Sequence, residues 1–381
     1  MKDKIWDARG TLGRVPKATP EIILSMGGIN LKKFVMLALL LVVALVILGA
    51  CGSDDEDVDG SDIRVALVTG TGGRGDESFN DMAYDGLAKA AELYGIYFTY
   101  SHPLSVADFE SHLRLFAEAG TYDLIIVTSF QAQAAMYIVA EDFPDQRFAI
   151  ADTQVHMPNV RAIVKDFAEM TFLGGYLAGL LTTETSMPGI NEAAMVGIVI
   201  GSDSPVMLAA ARGFEAGASL AHPGIDVRRG IVGGFADPAT GREISLSLFG
   251  EGADVLMSFA GGSGAGVTLA AEELDLYAIP GAFPRVVDAP NNIPATVGEH
   301  LTEQMVIEVR SLIDGTWEAG IFMGTLANEY VGISFAGSNV VVPQWIIDRV
   351  EDARQRVLSG EITIPANFDA IPDWAAANSV S

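Results

Sequence analysis

The run Ile63-Arg-Val-Ala-Leu-Val-Thr69 predicts a buried strand that ends in glycines. An amphipathic stretch over residues 79–94 predicts the helix that follows it, and residues 96–101 predict a second strand. The same alternation continues with a helix at 106–119, a strand at 123–128, a helix at 132–142 and a strand at 147–151. Short apolar strands that alternate with helices are typical of a parallel sheet with both faces covered.

The alternation begins again after a predicted crossover helix at residues 170–183. Strands are predicted at 194–200, 227–232, 255–258 and 277–279, with helices at 205–221, 240–249 and 266–274. Residues 295–333 predict one more strand–helix–strand set, and residues 343–359 a final helix.

This pattern predicts an α/β fold of two doubly wound lobes joined by crossover segments. Lobe 1 would take residues 63–170 and 295–335, lobe 2 residues 190–285, and a C-terminal helix and tail at 343–366 would pack on the lobes. In such folds ligands bind at the carboxyl ends of the strands, so we expect a ligand cleft between the two lobes.

The N-terminal region predicts export and a lipid anchor. Residues 34–48 are an uninterrupted apolar run of 15, preceded by Lys32 and Lys33. This run is shorter than the ~20 residues that span a bilayer, and its basic flank is typical of a signal peptide. Leu48-Gly-Ala-Cys51 resembles a bacterial lipobox, which makes Cys51 the candidate for lipidation.

We therefore interpret residues 1–50 as a signal peptide; Met26 would begin one of ordinary length, so residues 1–25 are candidates for a misassigned start. The alternative is an uncleaved membrane anchor. Residues 51–62 are acidic and polar, and they predict a solvated tether between lipid and globular domain. Either reading places most of the chain outside the cytoplasmic membrane, and the favoured reading is an extracytoplasmic, lipid-anchored protein.

Composition excludes several classes of function. The 381 residues carry a formal net charge of −26, which a nucleic-acid backbone would repel. One Cys and five His, without metal-ligand spacing, predict no disulfide framework, no metal site and no cofactor. Half of the residues are hydrophobic, too many for a disordered acidic protein.

A glycine-rich loop, Gly70-Thr-Gly-Gly-Arg-Gly75, matches the dinucleotide-binding pattern G-x-G-x-x-G. The acidic residue expected near the end of the second strand is absent, because that region is Tyr100-Ser-His-Pro103. We therefore interpret residues 70–75 as a flexible loop before a helix.

The sequence does not indicate an enzyme. No G-x-S-x-G motif occurs, and the five His lie in unrelated contexts. A binding protein that delivers a ligand is favoured, and a module that reports ligand binding to a membrane partner is the main alternative. An exported enzyme is the weakest of the three readings.

An ordered set of motifs resembles the basic membrane protein family, the solute-binding lipoproteins of ABC importers that include purine-nucleoside receptors. Asp76-Glu-Ser-Phe-Asn80 resembles the start of that family's first helix. Further matches lie at 143–152, at the crossover helix 172–179, at 196–217 and at 342–362. The resemblance covers about residues 62–366 and implies a type I periplasmic-binding-protein-like fold.

The family also implies a site and its partners. Phe79 would stack on a planar ligand, with Phe130 as a second aromatic, and Asn80 and Asp152 would hydrogen-bond to it. The remaining candidates are Asp76, Ser78, Asp203, Gly261 and Gly262. For Ser78 and Asp203 the alternative role is helix capping, and for the two glycines it is a tight turn. The implied partners are a small-molecule ligand, an ABC permease and its ATPase, and we expect a monomer.

Three departures from the family concern the ligand. Tyr277–Phe283 lacks the Asp that the family uses on ribose hydroxyls, residues 295–300 lack the family's Lys, and the helix aromatic that the family has near Ala210 is missing. Without that Asp, a site should hold ribose poorly. The sequence therefore favours a nucleobase or another planar heterocycle over a nucleoside, unless residues such as Asp288 or Asn291 replace the missing groups.

Overall fold

The computed structural model describes residues 60, 62–282 and 289–379. The predicted signal peptide, Cys51, nearly all of the acidic tether and Asp288 lie outside the described residues. Among the helices of the described part, none has the length and apolarity to cross a membrane.

The described residues form twelve strands, in chain order β1 (Arg64–Val68), β2 (Tyr97–Ser101), β3 (Leu124–Val127), β4 (Phe148–Ala151), β5 (Val160–Lys165), β6 (Met195–Ile200), β7 (Asp226–Ile231), β8 (Val255–Phe259), β9 (Tyr277–Pro280), β10 (Thr296–Glu299), β11 (Gly320–Gly324) and β12 (Val331–Ser334). Ten α-helices accompany them, α1 (Phe79–Tyr94), α2 (Phe109–Ala119), α3 (Gln133–Asp142), α4 (Phe167–Leu181), α5 (Pro205–Ala221), α6 (Pro238–Glu251), α7 (Ala265–Leu274), α8 (Leu301–Ile313), α9 (Gln344–Leu358) and α10 (Ile371–Asn378).

Two parallel sheets organise the described part of the chain. The first has the strand order β11-β5-β4-β3-β1-β2 and the second the order β7-β6-β8-β9. Their central strands are apolar and fully buried, as in Leu124-Ile-Ile-Val127 of β3, because helices cover both faces. Edge strands β2 and β7 are more exposed and more polar. The α/β fold class predicted from the sequence is confirmed.

Three elements differ from the sequence-based prediction. Strand β5 was not predicted, because Arg161 and Lys165 interrupt its apolar run, yet both charges are paired with carboxylates inside the fold. The segment 295–333 contains three strands instead of two, and β10 pairs with β12 in a separate antiparallel ribbon. Helix α10 follows α9 and packs on α5, and its Trp374 ring also lies against Phe172 of α4.

Helices α4 and α5 touch each other along a face of glycines. A Cβ atom at Gly217 would overlap the carbonyl oxygen of Phe172, and one at Gly175 would overlap that of Phe214. The Thr171 hydroxyl donates to the Ala210 carbonyl at 2.7 Å across the same contact. The glycines in two of the sequence motifs therefore serve helix packing, since only a residue without Cβ permits such a close approach.

Candidate functional site

A cavity opens where the carboxyl ends of both parallel sheets face each other. Loops after β1, β3 and β4 and the last residue of β5 line it from the first sheet. Phe259 of β8, together with Phe235 and Gly261, lines it from the second. The space between its lining residues is about 650 Å³, with the solvent at its open mouth included.

The structure brings most of the predicted site residues together. The predicted residues that line the cavity are Asp76, Ser78, Phe79, Asn80, Phe130, Asp152 and Gly261. Gly262 lies beside the cavity, where an added Cβ would come within 3.5 Å of the Asp76 Cβ. Asp203 is exposed and lies outside the lining, and the N-cap position of α5 belongs to Ser204 instead.

Asp76 organises the start of α1. Its carboxylate accepts hydrogen bonds from the backbone N–H groups of Ser78 (3.0 Å), Asn80 (3.1 Å) and Asp81 (3.2 Å). Ser78 occupies the N-cap position, but its side chain makes no capping hydrogen bond, so the capping role expected of it falls to Asp76. Burial raises the pKa of the Asp76 carboxyl, and the backbone hydrogen bonds oppose this increase.

Asn80 ties three elements of the first sheet together. Its Oδ1 accepts from the Gly70 N–H at 2.7 Å and from the Thr128 hydroxyl at 3.2 Å, while its Nδ2 donates to Asp76 at 2.9 Å. An amide nitrogen has two N–H groups, so one remains by valence for a ligand. The side chain thus holds the loops after β1 and β3 against α1 in addition to lining the cavity.

A buried cluster of Lys165, Asp152 and Glu299 forms the polar end of the cavity. The Lys165 Nζ lies 2.8 Å from Asp152 Oδ1 and is also ion-paired with Glu299. Three strands, β4, β5 and β10, deliver these side chains from their carboxyl ends. Asp152 adopts a positive φ of 68°, a strained conformation that commonly marks a functional position.

Burial and charge act against each other in this cluster. Burial raises the pKa of the Glu299 carboxyl to about 7, although the Lys165 ammonium opposes the increase. Burial also raises the pKa of Asp152, again against Lys165. For Lys165 itself burial would lower the pKa, but the two carboxylates raise it above its ordinary value, so the ammonium stays charged.

Aromatic rings surround the same ammonium. The Lys165 Nζ lies 4.6 Å from the ring centroid of Phe79 and 4.9 Å from that of Phe167. From the second sheet, Phe235 places its ring centroid 6.1 Å from that of Phe130, edge to face. Rings from both sheets therefore meet across the cavity.

Sequence reasoning did not identify Lys165, Glu299, Phe167, Phe235 or Phe259 as site residues. Lys165 would have been a candidate if β5 had been predicted, since the last residue of a parallel strand lies at the end of the sheet where ligands bind. Phe235 lies in an irregular segment after β7 and carried no such signal.

The raised pKa of Glu299 predicts a pH dependence of stability. Between about pH 4.5 and about 7 the unfolded chain has lost this proton while the folded protein keeps it. The free energy of unfolding should therefore fall as the pH rises through this window. In urea unfolding, the Glu299→Gln variant should show a smaller fall in the free energy of unfolding over this pH window, smaller by on the order of 1 kcal/mol.

The exposed Glu303 is the control, since the Glu303→Gln variant should keep the wild-type dependence. A wild-type protein whose stability rises over the same window would contradict the assignment of a raised pKa to Glu299.

Known proteins share this architecture. The profile of the Bmp family, described as ABC transporter substrate-binding protein PnrA-like, matches residues 63–368. A protein of Pyrococcus horikoshii named uncharacterized lipoprotein PH1714 is 28% identical over 307 residues, which cover 77% of this chain and 74% of that protein. The ABC transporter nucleoside-binding protein BmpA of Lactococcus lactis is 25% identical over 359 residues, 88% of this chain and 99% of that protein.

A solved structure agrees in fold. The crystal structure of an ABC transporter system solute-binding protein from Aeropyrum pernix K1 superposes with a TM-score of 0.74 at 23% identity, and it covers 83% of this chain and 98% of that one. The family resemblance that the sequence motifs predicted is confirmed. A small-molecule ligand and an ABC permease partner follow from the family. The chain belongs to the Bmp family of PnrA-like ABC transporter substrate-binding proteins.

Proposed function

We propose that the protein is a lipid-anchored receptor that captures a purine nucleoside in the cavity between its two sheets and delivers it to the permease of an ABC importer. The observation that carries this proposal is the pairing of an aromatic surface with a buried polar cluster inside one cavity. Phe79 and Phe130 supply the first, and Lys165, Asp152 and Glu299 supply the second.

The aromatic part of the cavity suits a flat heterocycle. Rigid rings offer large contact area and favour stacked or edge-to-face geometry with another ring. Phe130 and Phe235 come from opposite sheets and meet edge to face, so a ring bound beside this pair would contact both sheets. This arrangement supports a planar ligand held by closure of the cleft.

The polar cluster favours a nucleoside over a free base. The absence of an Asp after β9 and of a Lys at 295–300 favoured a base on sequence grounds. Carboxylates of Asp152 and Glu299 can instead accept hydrogen bonds from sugar hydroxyls, and Lys165 can donate one. Asn291 does not contribute, because it lies outside the cavity lining, where its Oδ1 accepts from Asn339. The name of the Lactococcus lactis relative supports the same ligand class.

Calorimetric titration with adenine and adenosine, and with guanine and guanosine, tests the ligand class. We expect the nucleoside of at least one pair to bind about tenfold or more tightly than its base, since one hydrogen bond to a charged group contributes ~1.5–3 kcal/mol. A base that binds as tightly as its nucleoside would restore the free-base reading, and binding of none of the four would reject the purine class.

In the same titration the Phe79→Ala variant should lose about three- to twelvefold in affinity, since an aromatic pair contributes ~0.5–1.5 kcal/mol beyond area burial. Tyr97 is the matched control, because its ring is exposed on edge strand β2, away from the cavity. The Tyr97→Ala variant should bind like the wild type. Equal losses in both variants would remove the stacking role of Phe79.

Anchoring through Cys51 places the receptor at the membrane surface. A thioether-linked lipid on Cys51, joined to the fold by the acidic segment 51–62, would hold the binding domain near its permease. Replacing Cys51 by Ser should move the protein from the membrane fraction to the soluble fraction, as detected by immunoblotting after a carbonate wash. A variant that stays with the membrane would indicate an uncleaved anchor at residues 34–48 instead.

A further inference from the structure

We infer that the cavity selects its ligand by charge, accepting neutral ligands and rejecting phosphorylated ones, and that Glu299 and Asp76 are the residues that determine this selectivity. The inference deepens the proposed function and rests on it, because it concerns which nucleoside-like molecules the same cavity admits. The glycine-rich loop at residues 70–75 raises the question of phosphate binding, since loops with the G-x-G-x-x-G pattern bind phosphate in other folds.

The charge of the lining is the first observation. Among the described residues that line the cavity, three are carboxylates, Asp76, Asp152 and Glu299, and one is a cation, Lys165. All four side chains are nearly buried, so water screens their fields poorly. A phosphate would enter a region whose fixed charge is already negative.

The single cation is already neutralised. Lys165 is paired with Asp152 at 2.8 Å and with Glu299, and aromatic rings cover its remaining surroundings. A phosphate could gain this ammonium only by displacing one of the two carboxylates, which would then be left buried and unpaired. A neutral hydroxyl group can instead join the cluster as donor and acceptor without separating the charges.

The start of α1 is closed to anions as well. Free N–H groups at a helix N-terminus normally attract phosphate. Here the Asp76 carboxylate takes the N–H groups of Ser78, Asn80 and Asp81. The protein's own carboxylate occupies the position that a phosphate would need.

The glycine-rich loop is satisfied in the same way. The Gly70 N–H donates to Asn80, the Gly73 N–H to the Gly70 carbonyl, and the Gly75 N–H to the Asp81 carboxylate at 3.1 Å. The loop matches the phosphate-binding pattern in sequence, but in the structure these N–H groups point to internal acceptors. It thus forms a wall of the cavity and not a phosphate cradle.

Titration of matched pairs tests the inference. Adenosine, guanosine and inosine are each compared with their 5′-monophosphates in the wild type and in the Glu299→Gln, Asp76→Asn and Glu303→Gln variants. We expect the wild type to prefer the nucleoside by about 100-fold or more. Glu299→Gln should reduce the ratio of nucleoside affinity to monophosphate affinity about tenfold. Most of the change should be tighter monophosphate binding, because the variant removes one of the two carboxylates paired with Lys165.

Asp76→Asn should also reduce this ratio of affinities, because it weakens the negative field at the start of α1. Either variant alone is sufficient for the test if the other does not fold. Glu303→Gln removes the same charge from the exposed face of α8 and should keep the wild-type ratio. Wild-type affinities for nucleoside and monophosphate within about threefold of each other would overturn the inference and leave the proposed function standing.

A wild-type ratio that both cavity variants retain would overturn the assignment to Glu299 and Asp76. If the wild type binds neither member of any pair, both the proposed function and the inference are rejected. A narrowed ratio in the cavity variants, with an unchanged ratio in Glu303→Gln, supports the inference.

Discussion

Replacing Lys165 by Met is expected to lower the free energy of unfolding by about 3–5 kcal/mol at neutral pH, the range seen when one partner of a buried ion pair is removed. The reason is that Asp152 and Glu299 would remain in the interior without their cation. Met preserves most of the side-chain volume, so the loss would reflect charge and not a cavity. Urea unfolding followed by circular dichroism measures the effect.

Lys89 provides the matched control. Its side chain is half-exposed and its pairing with Glu303 is loose, at 3.8 Å. Lys89→Met should change stability by less than about 0.5 kcal/mol. The penalty at Lys165 should also shrink as the pH is lowered, because the two carboxylates then become neutral. A Lys165→Met protein as stable as the Lys89→Met protein would show that the cluster is not held as a buried ion pair.

Replacing Gly217 by Leu is expected to destabilise the protein by about 3 kcal/mol or more, at or beyond the upper end of the usual cost of overpacking a core. Leu is a better helix former than Gly, so the change would stabilise α5 in isolation. In the fold its Cβ would overlap the Phe172 carbonyl oxygen and force α4 and α5 apart. Thermal and urea unfolding should both report the loss.

Gly250 allows the opposite result with the same substitution. It lies in α6, is exposed, and has no atom within 4 Å of the position of an added Cβ. Gly250→Leu should therefore stabilise the protein by about 0.5–1 kcal/mol through helix propensity and reduced freedom of the unfolded chain. If both variants behaved alike, the close contact between α4 and α5 would not be what requires glycine.

The helix-packing glycines and the buried ion cluster differ in how far the sequence alone predicts them. Gly175 and Gly217 belong to motifs that resemble those of the family, but their role in the helix contact depends on the position of the partner helix. Lys165, Asp152 and Glu299 come from three separate strands, and no local pattern joins them. Asp152 alone was predicted as a site residue.

Local signals determined most of the fold. Helices α1 and α5 begin and end at the predicted residues, and the apolar runs of β1, β3 and β8 identified buried strands. These predictions hold because the hydrophobic periodicity of a helix or strand depends only on residues close together in the sequence. The motif at 76–80 likewise identified the start of α1 as one wall of the cavity.

Tertiary structure alone decided the electrostatics of the cavity. The sequence-based prediction contains no strand at β5, and only the meeting of β4, β5 and β10 at one end of the sheet supplies Lys165 with its carboxylates. Phe235 reaches the cavity from an irregular segment that follows β7 of the second sheet. Sequence periodicity indicates which residues are buried. Which buried side chains become neighbours depends on which strand ends the crossover connections bring together.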